Sequence, residues 1–110
     1  MEINIDRLDN AVIVSAGSRL DGNSSAAFQE SLTKLAAAEP TIIIDMSGFN
    51  YVSSAGLRAL LIVSRQCKSA GNNLALCGLT PDVSKVFDIS GLLPMFAVFA
   101  NTDEAVAAFS

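Results

Sequence analysis

Hydrophobic positions along the chain alternate between two spacings, one close to two residues and one close to the helical repeat. Ile3 and Ile5, with Leu8 at the margin, read as a half-exposed strand, and residues 11–16 as a second, denser one. Leu8-Asp9-Asn10 has turn chemistry, so the two strands are expected to form a hairpin. Residues 17–23 read as a polar, glycine-containing loop. Asn23 or Ser24 then caps a helix whose apolar stripe is Phe28, Leu32 and Leu35, and Pro40 marks its end. Residues 41–46 are a β-branched run, long enough for a buried strand and too short for a helix. After a loop over residues 47–52, a second helix starts at Ser53 or Ser54. It places Leu57, Leu60, Leu61, Ser64 and Cys67 inward, with Arg58, Ala59, Ile62 and Arg65 outward, and Gly71 is a fitting residue just past its end.

Residues 73–77 make another short strand. Thr80-Pro81-Asp82 is a helix start, with a hydroxyl cap, a proline at the first helical position and an acid near the positive helix end. That helix carries Val83, Val86 and Phe87 and ends near Gly91. Residues 95–99 read as a last strand, and Asn101 opens a terminal helix with Ala105, Val106 and Phe109. The order β-β-α-β-α-β-α-β-α predicts an α/β fold with a mixed sheet of about five strands and four helices. Strands alternating with helices make most pairs parallel, the opening hairpin is antiparallel, and right-handed crossovers constrain where the helices go.

Composition narrows what such a fold does. At 110 residues the chain is expected to be one domain over residues 1–110, and 51% hydrophobic against 16% charged residues excludes disorder. The longest uncharged apolar stretch, residues 89–100, is too short for a membrane span, which takes about 18 or more residues. The opening segment has no basic region followed by an apolar run, so a cytoplasmic protein is expected, with no membrane partner. Net charge is −4, from 7 Lys+Arg against 11 Asp+Glu, with no basic cluster to meet a nucleic acid. Histidine is absent, which removes Ser-His-Asp and Cys-His activation and the commonest zinc ligand. No catalytic residue, metal site or cofactor is expected. Cys67 and Cys77 read as small core residues. Ser31-Leu32-Thr33-Lys34 has the spacing of a serine-lysine enzyme motif without its companions, and reads as a solvated helix face.

The stretch Asp45-Met46-Ser47-Gly48-Phe49-Asn50-Tyr51-Val52-Ser53-Ser54-Ala55-Gly56-Leu57-Arg58 is the most informative. Two adjacent serines stand where a helix begins. As capping chemistry they are ordinary, because serine is a preferred N-cap. The same helix end also favours an anion, so a phosphate added there would be tolerated while adding about −1.5 to −2 charges. Both readings fit the spacing.

At these residues the chain resembles the anti-sigma-factor antagonist family, the STAS domains. The family's Asp-Leu-Ser-like turn corresponds to Asp45-Met46-Ser47, and its Asp-Ser-Ser-Gly-Leu to Ser53-Ser54-Ala55-Gly56-Leu57. Gly17-Ser18-Arg19-Leu20-Asp21 is similar to its Gly-x-Leu-Asp loop. The stretches from Gly71 to Gly78 and from Val86 to Leu92 match later landmarks in the right order. The resemblance implies a partner-switching protein that is not an enzyme. By position, Ser54 is the residue phosphorylated by an anti-sigma factor that is itself a serine kinase, with Ser53 the alternative acceptor. The unphosphorylated form binds the anti-sigma factor, and a metal-dependent serine phosphatase resets the phosphorylated one. Nucleotide and magnesium belong to the kinase.

Asp21, Ser53, Ala55, Gly56, Arg58 and Ile62 are the residues expected at the partner surface. Ser53 stands where the family often has aspartate, and Ala55 replaces the second serine. Asp21 has two readings, ordinary turn chemistry or a carboxylate that orients the serine loop or touches the kinase. Arg58 is assigned to docking, or else to pairing with the added phosphate. Two other functions fit the chain: a constitutive interaction subunit without a phosphoswitch, and a small serine hydrolase with lysine as its only available base.

Overall fold

The computed structural model describes residues 3–109. In chain order its elements are β1 (Ile3–Arg7), β2 (Val12–Ala16), β3 (Ser18–Leu20), α1 (Ser25–Ala38), β4 (Thr41–Asp45), β5 (Phe49–Val52) and α2 (Ser54–Ser69). They continue with β6 (Asn73–Cys77), α3 (Pro81–Ile89), β7 (Ala97–Phe99) and α4 (Thr102–Ala108). The β1–β2 hairpin is antiparallel, with Ile3 opposite Ala16. Every other pair in the main sheet is parallel, and the strand order is β1-β2-β4-β6-β7. The expected α/β fold with a five-strand mixed sheet and four helices is the one observed.

The central strand explains why its sequence showed no alternation. Ile42, Ile43 and Ile44 are all fully buried, because helices cover both faces of the sheet at β4. On one face Val14, Ile42, Ile44 and Leu76 pack with Phe28, Leu32, Leu60, Val63 and Phe87 from the first three helices. On the other, Ile43, Ala75 and Cys77 are covered by Ala105 of α4, with Phe99 and Phe109 beside them. Burying one such aliphatic side chain contributes about 1.5–3 kcal/mol, so β4 is the energetic centre of the domain.

Three features differ from the expectation. Residues 18–20 and 49–52, read as loops, are β3 and β5, which pair parallel as a separate two-stranded sheet. Both strands are short, with exposed positions and an irregular register between Ser18 and Arg19, so neither shows a strand period. They are fastened through tertiary contacts. The Phe28 ring meets Phe49 edge-on at 5.8 Å, and the Thr80 hydroxyl donates to the Phe49 carbonyl at 3.2 Å.

The last strand is shorter than residues 95–99, since Leu93–Met95 forms a 3-10 turn around Pro94. The buried face of α2 is also shifted. Ala59 is buried rather than outward, Val63 joins the core, and Leu61 and Ser64 are half-buried. The helix rests on α1 as well as on the sheet, which widens its buried arc. Thr33 donates to Gln66 at 2.9 Å, and the Asn72 amide donates to the Ala36 carbonyl at 2.8 Å, tying the two helices.

Candidate functional site

Strands β3 and β5 end side by side, with Leu20 opposite Val52. The residues that follow, Asp21 and Ser53, therefore leave the sheet at the same end. The Ser53 N–H donates to the Leu20 carbonyl at 2.8 Å, fastening the start of α2 to β3. Gly56 lets that approach happen: a Cβ there would stand 2.6 Å from the Leu20 carbonyl oxygen and 3.0 Å from its side chain. No larger residue fits without pushing the helix end off the strand.

The two serines are separated by this geometry. Ser53 is the N-cap, with extended backbone, and its hydroxyl oxygen accepts from the Gly56 N–H at 3.2 Å. Ser54 is the first helical residue and is exposed, and its hydroxyl has no hydrogen-bond partner among the described residues. Around it the N–H groups of residues 54 and 55, in the first turn, have no intrahelical acceptor, and they sit at the positive end of the helix dipole. No acidic residue lies in that turn.

Asp21 is committed to its own loop. Its carboxylate accepts from the Asn23 N–H at 3.0 Å and from the Ser24 hydroxyl at 3.3 Å, and its other oxygen faces Arg19 Nε at 3.4 Å. The Asn23 bond, with help from Arg19 and Ser24 and against the desolvation of the site, holds the carboxyl below its ordinary value. It makes no hydrogen bond to Ser53 or Ser54 among the described residues, so the turn role is the one its contacts perform. Ser24 is bound into the same loop, donating to the Arg19 carbonyl and accepting from the Asp21 N–H, and it makes no side-chain cap bond to α1. Arg19 also stacks over Tyr51, its guanidinium carbon 4.3 Å from the ring centre. That pair had no signal in the sequence, because it depends on the register of β3 against β5.

Arg58 lies one turn beyond Ser54 on the exposed side of α2, and it makes no ion pair or hydrogen bond from its side chain among the described residues. Ala55 and Ile62 are half-buried, while Gly56 is buried and supports the surface from beneath. Ile62 also lines an open groove of about 620 Å³ between α1 and α2, with Thr33, Ala37, Arg65 and Gln66. The groove brings together no set of reactive groups.

Cys67 and Cys77 are free and buried as expected. Burial, and secondarily the charge of Asp45, pushes the Cys77 thiol up to about 11, and burial raises Cys67 too. Among the described residues no cluster of His, Cys, Asp and Glu could hold a metal ion, and no helix is long and apolar enough to cross a membrane.

A mixed five-strand sheet with a capped helix rising from a strand-end serine pair defines a STAS domain, and the chain belongs to that family: the STAS domain model matches residues 2–105. Within it the chain belongs with the anti-sigma factor antagonists. It is 36% identical to BtrV of Bordetella bronchiseptica, whose name marks it as a provisional anti-sigma factor antagonist, over 99% of this chain and 95% of that one. The anti-sigma-B factor antagonist of Bacillus subtilis is 27% identical over 96% of this chain and 99% of its own. The fold is also that of the anti-sigma factor antagonist SpoIIAA in its unphosphorylated form, at a TM-score of 0.83 and 22% identity, over 98% of this chain and 96% of that one. SpoIIAA of Bacillus is solved in a phosphorylated form as well. The anti-sigma factor antagonists are regulators, and this chain is not an enzyme.

Proposed function

We propose that this protein is a phosphorylation-controlled partner switch acting in the cytoplasm. Unphosphorylated, it binds an anti-sigma factor that is also a serine kinase, and so frees a sigma factor. Phosphorylated on Ser54, it lets that partner go, and a metal-dependent serine phosphatase restores it. One observation carries the choice of residue. The Ser54 hydroxyl is exposed and, among the described residues, unengaged at the first position of a 16-residue helix, whereas the Ser53 hydroxyl is occupied as the cap. A kinase that took Ser53 would have to break the cap before transferring a phosphoryl group. The existence of SpoIIAA in both forms supports the reading for the family fold.

The docking surface in this reading is built around α2. Ser53 and Gly56 hold the helix end in place, Ala55 keeps its rim small, and Arg58 and Ile62 offer a charge and an apolar contact. Asp21 borders the site from its own loop. The domain contributes no nucleotide or metal; the kinase and the phosphatase bring theirs.

The test is fragmentation mapping of the protein purified from its own cells under phosphatase inhibition. Phosphate on Ser54 is the expected result. Phosphate on Ser53 would move the site, and none under any growth condition would make the protein a constitutive binding module. In parallel, Ser54→Asp should bind the anti-sigma factor at least about tenfold more weakly, roughly 1.4 kcal/mol. Its thermal midpoint should stay close to that of the original, because a negative charge suits a helix N-terminus. Loss of the cooperative transition in that variant would contradict the helix start at Ser54.

A further inference from the structure

We infer that Arg58 is the group that receives a phosphate on Ser54, and that phosphorylation releases the partner in part by drawing Arg58 out of the docking surface. This rests on Ser54 being the modified residue, as proposed above.

Ser54 and Arg58 stand four residues apart on α2, so they share one face with Cβ atoms about 5–6 Å apart. Their order is the favourable one, with the anion nearer the helix start and the cation one turn later, in line with the dipole. A guanidinium bonds phosphate oxygens through two parallel N–H groups, the strongest arrangement available to an exposed pair.

Three guanidinium groups belong to the elements that form this end of the molecule, Arg19, Arg58 and Arg65, and the structure tells them apart. Arg19 is engaged, 3.4 Å from the Asp21 carboxylate and stacked over Tyr51 at 4.3 Å. Arg58 is exposed and unengaged among the described residues. Arg65 and Lys68 are on the same helix, but Arg65 is already about 16 Å of helical rise beyond Ser54. The remaining charge, Asp21, leaves β3 beside Ser53, and it disfavours a phosphate turned toward that loop. Among the described residues of these elements, Arg58 is therefore the unengaged cation one turn from a phosphate on Ser54. Once paired, Arg58 no longer presents its donors outward, so the partner meets a new negative charge and loses a positive one in the same event.

The pairing can be measured without the partner. Phosphoserine is installed at position 54 during translation of the full chain, and the phosphorus resonance is followed against pH. The second phosphate proton normally leaves near pH 6. With Arg58 present it should leave about 0.3 unit or more lower than in Arg58→Gln, the shift a helical ion pair of this spacing supports. Arg58→Lys should fall nearer the original than Arg58→Gln does, and Arg19→Gln should match the original. Added salt should raise the original's value toward that of Arg58→Gln, a readout that needs no variant. Indistinguishable titrations for the original and Arg58→Gln, or a shift caused by Arg19→Gln instead, would overturn the inference. Because the phosphate is installed synthetically, the titration holds whether or not cells modify Ser54. That reading fails separately, by the absence of phosphate in the cellular protein.

Discussion

Adjacent serines at the start of α2 do different work because the backbone changes character between them. Ser53 is still extended and can turn its oxygen back to the Gly56 N–H, while Ser54 has entered the helix and faces water. Ser53→Ala should therefore cost about 1 kcal/mol in urea unfolding, the usual worth of a serine cap. Ser54→Ala should stay within about 0.5 kcal/mol of the original, as exposed substitutions do. Equal losses would mean that the cap is shared between them. The two thiols make a second prediction. Cys77 keeps its proton up to about pH 11 in the folded state, whereas its ordinary value is 9.0. Between those values the unfolded chain holds fewer protons than the folded one, so stability falls as pH rises. Urea midpoints should be level up to about pH 8.5 and decline through pH 10 and beyond. A midpoint that rose across that range would contradict a buried, protonated Cys77.

The start of α2 also shows how one element is placed by another. A helix gains from alanine over glycine by about 1 kcal/mol in isolation. At Gly56 that preference is reversed by the Leu20 carbonyl, which a methyl would meet at 2.6 Å. Gly56→Ala should lower stability by about 1–3 kcal/mol, the usual cost of forcing extra volume into a close contact. Thermal unfolding checks this; a stabilised variant would mean that α2 does not approach β3 so closely. The helices themselves were largely legible, because their caps and stripes are local. Thr80 accepts from the Val83 N–H with Pro81 at the first position, and Gly71, with φ +75°, follows α2 as its spacing suggested. Strands β3 and β5 were not legible. Each is three or four residues long, and their pairing is decided by what lies across from them.

Across the molecule, stability is distributed unevenly between the two faces of the sheet. Three helices and most of the large side chains cover one face, while the short α4, with only Ala105 fully buried, covers the other. Amides of α4 should exchange with solvent through local opening, well before those of β4 and β6, and hydrogen exchange at neutral pH reads this directly. Equal protection would mean that α4 unfolds only with the whole domain. Charge is uneven too: α2 carries Arg58, Arg65 and Lys68 and no acid, in a chain of net charge −4.

The order of the five main-sheet strands and four helices, the central buried strand, the helix starts and the serine pair were determined by residue pattern alone, because each depends on neighbours within a turn or two. Tertiary structure decided that the start of α2 is fastened to β3, that Ala59 turns inward, and that Arg19 stacks on Tyr51 while Arg58 is unengaged among the described residues. Those outcomes depend on β3 lying against β5 and α1 against α2. Such contacts join residues about thirty positions apart, and no local period encodes them.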